Sequence, residues 1–289
     1  MKQVLWISDE RRWAYDTNAR ALAKNMPQYN HNFFYTAEVG PEAIENVKDS
    51  IDIFVAMNPA GFYMYKEFHK VISILDTVRA ITGEHRVIFS NVAGIICNNG
   101  YLAKLADSKN ENTLLQPNGV DLDHFVPAER QDRRLTLGFA GNIQGSYAFY
   151  KGWNVYQEAA SLVDVDQVNV LYGTESRLPP EKMVSDFYHK IDVLVLASQN
   201  EGCSNVITEA LACGVPVICT KVGYHGETLL DGVECIFVEQ TASSILNAII
   251  KMQSYNLASM GESARWFAEK HHDIKKVAAN YAKFFERVL

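Results

Sequence analysis

Two glutamates that bracket a short predicted helix are the residues whose type and spacing point most directly to chemistry. Glu201 lies in a polar loop after a hydrophobic run, and Glu209 lies eight positions further along, inside the helix. Carboxylate oxygens accept hydrogen bonds from hydroxyl groups, whereas they are poor partners for phosphates. The pair therefore suits a ligand with several hydroxyl groups, such as a hexose held by Glu201 and a ribose held by Glu209.

The start of this helix offers a complementary site for an anion. Ser204 is a good N-cap, the helix is predicted from Asn205 to about Cys213, and Gly214 suits the left-handed position that ends it. A helix start presents amide groups without intrahelical partners and the positive end of the helix dipole, which together attract a diphosphate. Glutamates that flank a helix are also commonly solvated or capping, so the spacing alone leaves that second interpretation open.

The elements that must position these residues alternate along the whole chain. Strands are predicted at Val4–Ser8, Ile51–Met57, Val87–Phe89, Gly94–Cys97, Leu135–Gly141, Val168–Tyr172, Val193–Ala197, Val215–Thr220 and Cys235–Val238. Helices are predicted at Thr17–Met26, Tyr63–Thr82, Tyr101–Lys104, Val155–Val163, Pro180–His189, Asn205–Cys213, Ala242–Tyr255 and Ser263–Leu289. Continuous apolar strands separated by helices are typical of parallel sheets covered on both faces. We therefore expect an α/β fold of two Rossmann-like, doubly wound domains, the second of them abbreviated.

A domain boundary is predicted near Gln116–Pro127, where two prolines and an Asn-Gly pair precede a fresh strand. We expect one domain over 1–120, a second over 121–265, and a terminal helix over 266–289 that packs back on the first domain. Open parallel sheets bind ligands beyond the carboxyl ends of their strands. The loops that follow strands should therefore carry the site.

Composition argues against several other classes of protein. The 289-residue chain is 48% hydrophobic and 21% charged, which is not the composition of a disordered chain. Its net charge of −7 indicates no generally cationic surface for nucleic acid or anionic membrane. With no clean membrane-spanning stretch, no signal peptide at the start and five cysteines in mostly apolar runs, we expect a cytoplasmic protein with buried, reduced thiols.

The segment from Glu201 to Glu209, with the following Ala-Leu-Ala-Cys-Gly-Val-Pro-Val-Ile, resembles the E-x7-E signature of the retaining glycosyltransferases of family four. Segments 117–127, 137–153 and 231–238 also resemble that family, which has the two-domain GT-B architecture. The resemblance implies an N-terminal acceptor-side domain and a C-terminal donor domain. It further implies sugar transfer, with retention, from a UDP- or GDP-sugar co-substrate to an acceptor hydroxyl, without a metal or other cofactor.

The same resemblance assigns roles to single residues. It implies that Glu201 contacts the transferred sugar as the catalytic carboxylate, Glu209 binds the ribose and Lys151 grips the diphosphate. Asn142 stands where the family usually has an arginine, and Arg177 is the nearest candidate for the missing cation. The other donor-binding candidates lie in the phosphate loop, the presumed base loop and the helix start: Gly141, Tyr172, Gly173, Thr174, Gly202, Cys203, Ser204, Asn205 and Val206.

The loop after the first strand, at 8–18, lacks the paired glycines typical of the family. Its aromatic rings could stack on a sugar or base, or pack on the following helix, and both interpretations stay open. The candidate acceptor contacts are Asp9, Trp13, Tyr15, Asp16 and Asn58. The acceptor itself could be a polysaccharide, a lipid-linked sugar, a small molecule or a modified base in DNA.

Alternatives to a glycosyltransferase also remain. An epimerase or phosphorylase on the same architecture would need no hydroxyl acceptor, and a non-catalytic nucleotide-sugar binder would fit Asn142 in the phosphate loop. The Asp-x-Asp pairs at 121–123 and 164–166 match a metal motif of the other main glycosyltransferase architecture, but their positions do not suit a metal–diphosphate site. We predict that neither pair binds a metal and that His271 and His272 are a surface pair.

Overall fold

The computed structural model describes residues 1–57, 70–75, 91–108, 110–129, 133–172 and 178–288. The chain divides into two compact units, Met1–Gly119 with Ile274–Leu289, and Val120–Asp273. In each unit, the strands among the described residues form a parallel sheet. Within the described ranges, no helix combines the length and the apolar character that a membrane span requires.

The elements follow one another along the chain in an alternating order. The strands are β1 Gln3–Ser8, β2 Asn30–Tyr35, β3 Ile53–Ala56, β4 Val71–Leu75, β5 Gly94–Cys97, β6 Thr113–Leu115, β7 Thr136–Asn142, β8 Asp166–Tyr172, β9 Val193–Leu196, β10 Val217–Thr220 and β11 Cys235–Val238. The helices are α1 Ala14–Lys24, α2 Pro41–Glu45, α3 Gly100–Asp107, α4 Tyr147–Tyr150, α5 Trp153–Ala160, α6 Met183–Asp186, α7 Asn205–Ala212, α8 Gly223–Thr228, α9 Ala242–Met252, α10 Leu257–His271 and α11 Ile274–Val288.

The first unit has a six-stranded sheet in the order β2-β1-β3-β4-β5-β6. Alternate residues of β1 enter different cores: Leu5 and Ile7 pack with residues of α2 and α3, whereas Val4 and Trp6 pack with residues of α1 and α11. Because both faces are covered by helices, the strand is apolar along its length rather than alternating.

The second unit has a five-stranded sheet in the order β11-β10-β9-β7-β8. Counted within this unit, the order is 2-1-3-4-5, so the winding direction reverses between β7 and β9. The carboxyl ends of these two strands lie at Asn142 and Leu196. Open α/β sheets bind ligands at such a switch point, because the loops leaving the two strands diverge to opposite faces and leave a crevice.

Most strands are confirmed where the hydrophobic runs predict them. The bounds agree for Gly94–Cys97 and Cys235–Val238, and each end of the other described predictions is correct to within two residues. The strand predicted at Val87–Phe89 lies outside the described residues. The sequence patterns miss β2 and β6, as well as the short helices α2, α4 and α8. β2 begins with polar residues and is only partly buried, and β6 has three residues, so neither gives a clear apolar run.

The helix predicted over Tyr63–Thr82 is wrong in its described part. Val71–Leu75 forms strand β4, buried along its length between β3 and β5. Its sequence, VISIL, is β-branched and apolar, which favours a central parallel strand over a helix. Apart from Lys70, the rest of the predicted range lies outside the described residues.

Two further helix predictions are wrong in length. The terminal helix predicted over Ser263–Leu289 is two helices, α10 and α11, because the chain breaks at His272, whose carbonyl accepts the amide of Val120 at 2.7 Å. The helix predicted over Pro180–His189 is reduced to α6 with a 3-10 turn on each side. Phe187, at φ −127° and ψ −70°, leaves the helical conformation.

Candidate functional site

The predicted donor-side residues of the second unit gather at the switch point of its sheet. Gly141 and Asn142 end β7, and the loop from Ser198 to Ser204 follows β9, the neighbouring strand. Tyr172 ends β8 and is the register partner of Asn142. Residues distant in sequence thus lie at one edge of one sheet, where a ligand of this fold binds.

Lys151 and Glu201 form an ion pair at this edge. The Nζ atom of Lys151 lies 2.6 Å from Oε1 of Glu201, with the side chains 28% and 13% exposed. Ser198 begins the loop that carries Glu201. Its hydroxyl donates to the same Oε1 at 2.7 Å. One carboxylate oxygen is therefore held by a cation and a hydroxyl together.

The backbone around Gly152 brings Lys151 close to the end of β9. Gly152 has φ +74°, and a Cβ atom there would lie 2.4 Å from the carbonyl oxygen of Ala197. The amide of Gln199 donates to the carbonyl of Tyr150 at 2.8 Å. Only a glycine fits this left-handed, closely approached position, so the sequence Lys-Gly sets where the cation sits.

A second glycine supports the other side of the loop. Gly223 begins α8 with φ +59°, and a Cβ atom there would lie 2.5 Å from the carbonyl oxygens of both Glu201 and Gly202. The next amide, of Tyr224, donates to the Gly202 carbonyl at 2.8 Å. The start of α8 thus fixes the backbone of the residue that carries the carboxylate.

The predicted N-cap and C-terminal glycine of α7 are confirmed. The Ser204 hydroxyl accepts the amide of Ile207 at 3.4 Å, and Gly214 has φ +69°. The Thr208 hydroxyl donates to the Ser204 carbonyl at 3.0 Å and lies 3.2 Å from Nε2 of His225. These bonds anchor the first turn of α7. The backbone amides of that turn point out of the helix start, toward the loop that precedes it.

His225 is buried beneath this turn. Burial and the neighbouring His272 lower the pKa of His225 well below its usual value, so the ring is neutral. Because the Thr208 hydroxyl donates its proton to the Ser204 carbonyl, the tautomer that completes the contact is the one with a proton on Nε2. His272 is itself fully buried, with its ring 5.4 Å from that of His225. The prediction of a surface pair at His271 and His272 is therefore wrong, because the bend after α10 turns His272 into the core.

Glu209 has a partner that the sequence does not indicate. The hydroxyl of Tyr188, which is buried in the turn before β9, donates to Oε2 of Glu209 at 2.6 Å. Burial raises the pKa of Glu209 to about 7, and the Tyr188 hydrogen bond partly opposes that rise. The carboxyl therefore changes its charge near neutral pH.

The remaining donor-side candidates lie in several environments. The Asn142 side chain accepts the amide of Gln144 at 2.9 Å and so closes its own turn. The Cys203 thiol lies 3.9 Å from the Thr208 hydroxyl, inside the core. The candidates of the predicted base loop lie outside the described residues: Gly173, Thr174 and Arg177.

The acceptor-side candidates of the first unit follow β1. Asp16 is buried, and its oxygens accept the Arg12 amide, the Arg20 guanidinium and the Tyr35 hydroxyl, each at 2.8 Å. Asp16 thus holds the turn before α1 together. Burial raises the pKa of Asp9.

The two aromatic candidates of this loop differ in exposure. Trp13 is 38% exposed at the residue that precedes α1, whereas Tyr15 packs against the core. Tyr15 therefore fits the interpretation in which it packs on the helix, and Trp13 keeps an accessible ring. Asn58 lies outside the described residues.

The acidic pairs of the second unit have protein partners. Asp164 and Asp166 lie 2.8 and 3.7 Å from the Arg134 guanidinium, and Asp121 accepts the amide of Asp123 at 3.1 Å. Within the described part of the chain, no group of three or more His, Cys, Asp or Glu residues could hold a metal ion.

The sequence reasoning misses Tyr188 and Ser198, which hold the two carboxylates. Ser198 carries one usable signal, its place directly after a buried strand, where functional loops of this fold begin. Tyr188 carries none, because its contact with Glu209 joins residues 21 positions apart through the tertiary fold.

Comparisons with known proteins follow the same division of the chain. A family model described as Glycosyl transferases group 1 matches residues 128–254. A D-inositol 3-phosphate glycosyltransferase of Geodermatophilus obscurus is 31% identical over 44% of this chain and 37% of that relative. In this relative and in two others of the same name, the chain spans less than half of the relative's length.

Two solved structures share the fold over nearly the whole chain. Anabaena HepE in complex with UDP and glucose aligns with a TM-score of 0.74 and 14% identity, covering 99% of this chain and 100% of that one. Sucrose-phosphate synthase from Thermosynechococcus elongatus aligns with a TM-score of 0.79 and 12% identity, covering 100% and 99%. The shared fold therefore identifies this chain as a two-domain GT-B protein, and its residues 128–254 are similar to the Glycosyl transferases group 1 family.

Proposed function

We propose that this protein is a retaining glycosyltransferase, which moves a sugar from a nucleotide-diphosphate-sugar to an acceptor hydroxyl without a metal ion. The observation that carries the proposal is the grouping of Lys151, Glu201 and the capped start of α7 at the switch point of the second sheet. A cation and helix amides suit the diphosphate of a nucleotide sugar, and a carboxylate that accepts hydrogen bonds suits the hydroxyl groups of the sugar.

The chemistry follows from the charges. As the bond between sugar and diphosphate breaks, negative charge builds on the departing phosphate, and Lys151 with the amides of the α7 start stabilises it. Glu201 holds a hydroxyl of the transferred sugar. The acceptor hydroxyl attacks from the side that the phosphate leaves, and the phosphate takes its proton, so that the configuration at the sugar is retained.

The donor nucleotide is proposed to be UDP. HepE is solved in complex with UDP, with UDP and glucose, and with UDP-glucose, and this chain shares its fold. Several matching curated relatives are named for D-inositol 3-phosphate, but the family match covers 128–254, in the second unit, rather than the loop after β1. A hydroxyl-bearing acceptor is therefore proposed without a choice among the candidate classes.

A donor screen by thermal shift, with UDP-, GDP-, ADP- and TDP-glucose, tests the proposed site first. A bound donor raises the melting temperature by mass action, and we expect the largest shift with the UDP-sugar. Proton NMR of the product formed with an accepted hydroxyl compound then shows whether the anomeric configuration of the donor is kept. Binding without any release of UDP would instead favour the non-catalytic binder that Asn142 suggests, and no shift with any donor would contradict the proposal.

Glu201→Gln tests the role of the carboxylate. We expect a folded protein whose turnover falls at least about a hundredfold, or about 2.7 kcal/mol in the barrier, because an amide cannot replace the charge beside the reacting sugar. Donor binding should persist, since Lys151 and the α7 amides remain. Turnover near the wild-type rate would show that Glu201 is not the catalytic carboxylate.

A further inference from the structure

The two carboxylates of the donor site share one arrangement. In Glu201, Oε1 accepts the Ser198 hydroxyl at 2.7 Å, and in Glu209, Oε2 accepts the Tyr188 hydroxyl at 2.6 Å. Within the described ranges, no hydrogen bond is made by the other oxygen of either residue, Oε2 of Glu201 and Oε1 of Glu209. Each carboxylate thus has one oxygen bonded to a protein hydroxyl and one oxygen left for a ligand.

Both hydroxyl groups are rigidly placed. Ser198 is fully buried, and its carbonyl accepts the hydroxyl of Thr220 from the neighbouring strand. Tyr188 is buried between aromatic rings, with the rings of Phe125 and Phe187 packed edge-to-face at 6.0 and 4.9 Å. A donor that cannot move restricts the rotation of the carboxylate that it bonds, which decides where the second oxygen points.

The charges around Tyr188 keep it a donor. Burial raises the pKa of Tyr188 well above its usual value, and Glu209 and Tyr172 of β8 reinforce that rise, so its proton stays on the hydroxyl. Cys213, just after α7, faces the same pair. Burial and Glu209 raise the pKa of its thiol, which therefore stays neutral, while Arg265 of α10 acts in the opposite direction.

From these contacts we infer that Ser198 and Tyr188 are positioning residues, which turn the open oxygens of Glu201 and Glu209 toward the hydroxyls of the sugar and of the ribose. This inference rests on the proposed function, because it names how the same site selects its donor. It assigns the sugar side of recognition to the Ser198–Glu201 pair and the nucleoside side to the Tyr188–Glu209 pair. Removing the Tyr188 hydroxyl should therefore affect nucleotide binding, whereas removing the Ser198 hydroxyl should affect the transfer of the sugar.

Tyr188→Phe tests the nucleoside side. The probe is UDP-glucose, whose diphosphate does not titrate near neutral pH, and its affinity is measured by calorimetry across the titration of Glu209. In the wild type, the affinity for UDP-glucose should rise as the pH passes about 7. In the variant, the midpoint of this rise should lie about one pH unit higher, because the hydrogen bond that favours the ionised form of Glu209 is lost. Tyr156→Phe, which removes another buried tyrosine hydroxyl of the same unit, should leave the midpoint unchanged.

A double-mutant cycle tests the sugar side, and it does not depend on whether Tyr188→Phe folds. Ser198→Ala should lower kcat about tenfold with little change in KM, since one charge-assisted hydrogen bond is lost. In a Glu201→Gln background, the same change should alter kcat by no more than about twofold, because Ser198 acts through the carboxylate.

The outcomes separate this inference from the proposed function. A wild-type protein that binds UDP-glucose but whose midpoint is not moved by Tyr188→Phe would overturn the assignment of Tyr188. Equal losses from Ser198→Ala with and without the Glu201 carboxylate would overturn that of Ser198. A wild-type protein that binds none of the nucleotide sugars would overturn the proposed function together with the inference.

Discussion

Glu209 lies in the interior of its helix, and its carboxyl ionises near the pH at which cells work. Burial raises its pKa from 4.5 to about 7, while the Tyr188 hydroxyl lowers it. Only the ionised carboxylate offers both oxygens as acceptors, so the proposed ribose contact is made above neutral pH and weakened below it. A single buried group thereby makes donor binding depend on pH.

Glu209→Gln should abolish this dependence. We expect the affinity of the wild type for UDP-glucose to increase through about pH 7, and that of the variant to be weaker and flat across the same range. Calorimetric titration of both proteins on each side of neutrality measures the difference. An affinity of the wild type that does not change with pH would contradict the ribose role.

The same shift determines how stability changes with pH. Between pH 4.5 and about 7 the unfolded glutamate has lost its proton while the folded one still holds it, so the free energy of unfolding falls as pH rises through this window. Above it, the cost of burying the ionised group is constant. Glu209→Gln removes that cost, so urea titrations should show the variant gaining stability over the wild type above the window and not below it.

At the scale of single elements, two left-handed glycines place the loop that carries Glu201. Gly152 approaches the Ala197 carbonyl, and Gly223 approaches the carbonyls of Glu201 and Gly202. In both cases a turn outside the helix α7 positions the loop that carries Glu201, the carboxylate proposed to act beside the start of α7. The helix alone therefore does not define the site.

Gly152→Ala tests this dependence, with Gly145→Ala as a matched control. Both glycines have a positive φ, +74° and +55°, so both variants carry backbone strain of about 1 kcal/mol. Only Gly152→Ala also places a Cβ atom 2.4 Å from a backbone oxygen, whereas Gly145 faces open space. We expect Gly152→Ala alone to weaken UDP-glucose binding at least about tenfold, because Lys151 is displaced from Glu201.

Equal binding by the two variants in calorimetry would show that the close approach at Gly152 does not position the cation. Chemical denaturation of both proteins separates a shift of the loop from loss of the folded state. If Gly152→Ala lowers stability but the folded protein binds UDP-glucose as well as the wild type does, the close approach at Gly152 does not position Lys151.

The elements show why sequence reasoning succeeds in some places and fails in others. Strands β9, β10 and β11 are short, mostly apolar runs that local pattern identifies, and the Ser204 cap and Gly214 end of α7 are local chemistry as well. The β4 segment is wrongly predicted as a helix because a five-residue apolar run lacks a period that distinguishes a strand from a helix. Tyr188 reaches Glu209 only after folding, so no local pattern indicates it, whereas the place of Ser198 directly after a buried strand is a usable local signal.

At the scale of the whole molecule, the first unit is completed by residues from the far end of the chain. The apolar face of α11 enters the core with Trp6 and Tyr29, and Phe285 is fully buried with its ring 6.2 and 5.8 Å from theirs. The Tyr29 hydroxyl also donates to Glu286 at 2.7 Å. The last helix is therefore part of the first unit's core rather than an appendage.

Phe285→Ala should destabilise the first unit by about 3–5 kcal/mol, the usual cost of removing a buried aromatic ring. Lys283→Ala, an exposed change on the same helix, should have little effect. Scanning calorimetry measures both, and UDP-glucose affinity of the folded protein should stay at the wild-type value because the proposed donor site lies in the other unit. A loss below about 1 kcal/mol would show that α11 contributes little to that core.

The return of α11 to the first unit also has a consequence for biosynthesis. Residues 120–273 form one contiguous unit, whereas Met1–Gly119 shares its core with residues 274–288. Residues 1–119 leave the ribosome before residues 274–288. Their core around Trp6 therefore stays uncovered until the stretch after residue 273 has left the exit tunnel. Residues 120–273 are free to reach their native state earlier, and chaperones that meet this nascent polypeptide would find their target within residues 1–119.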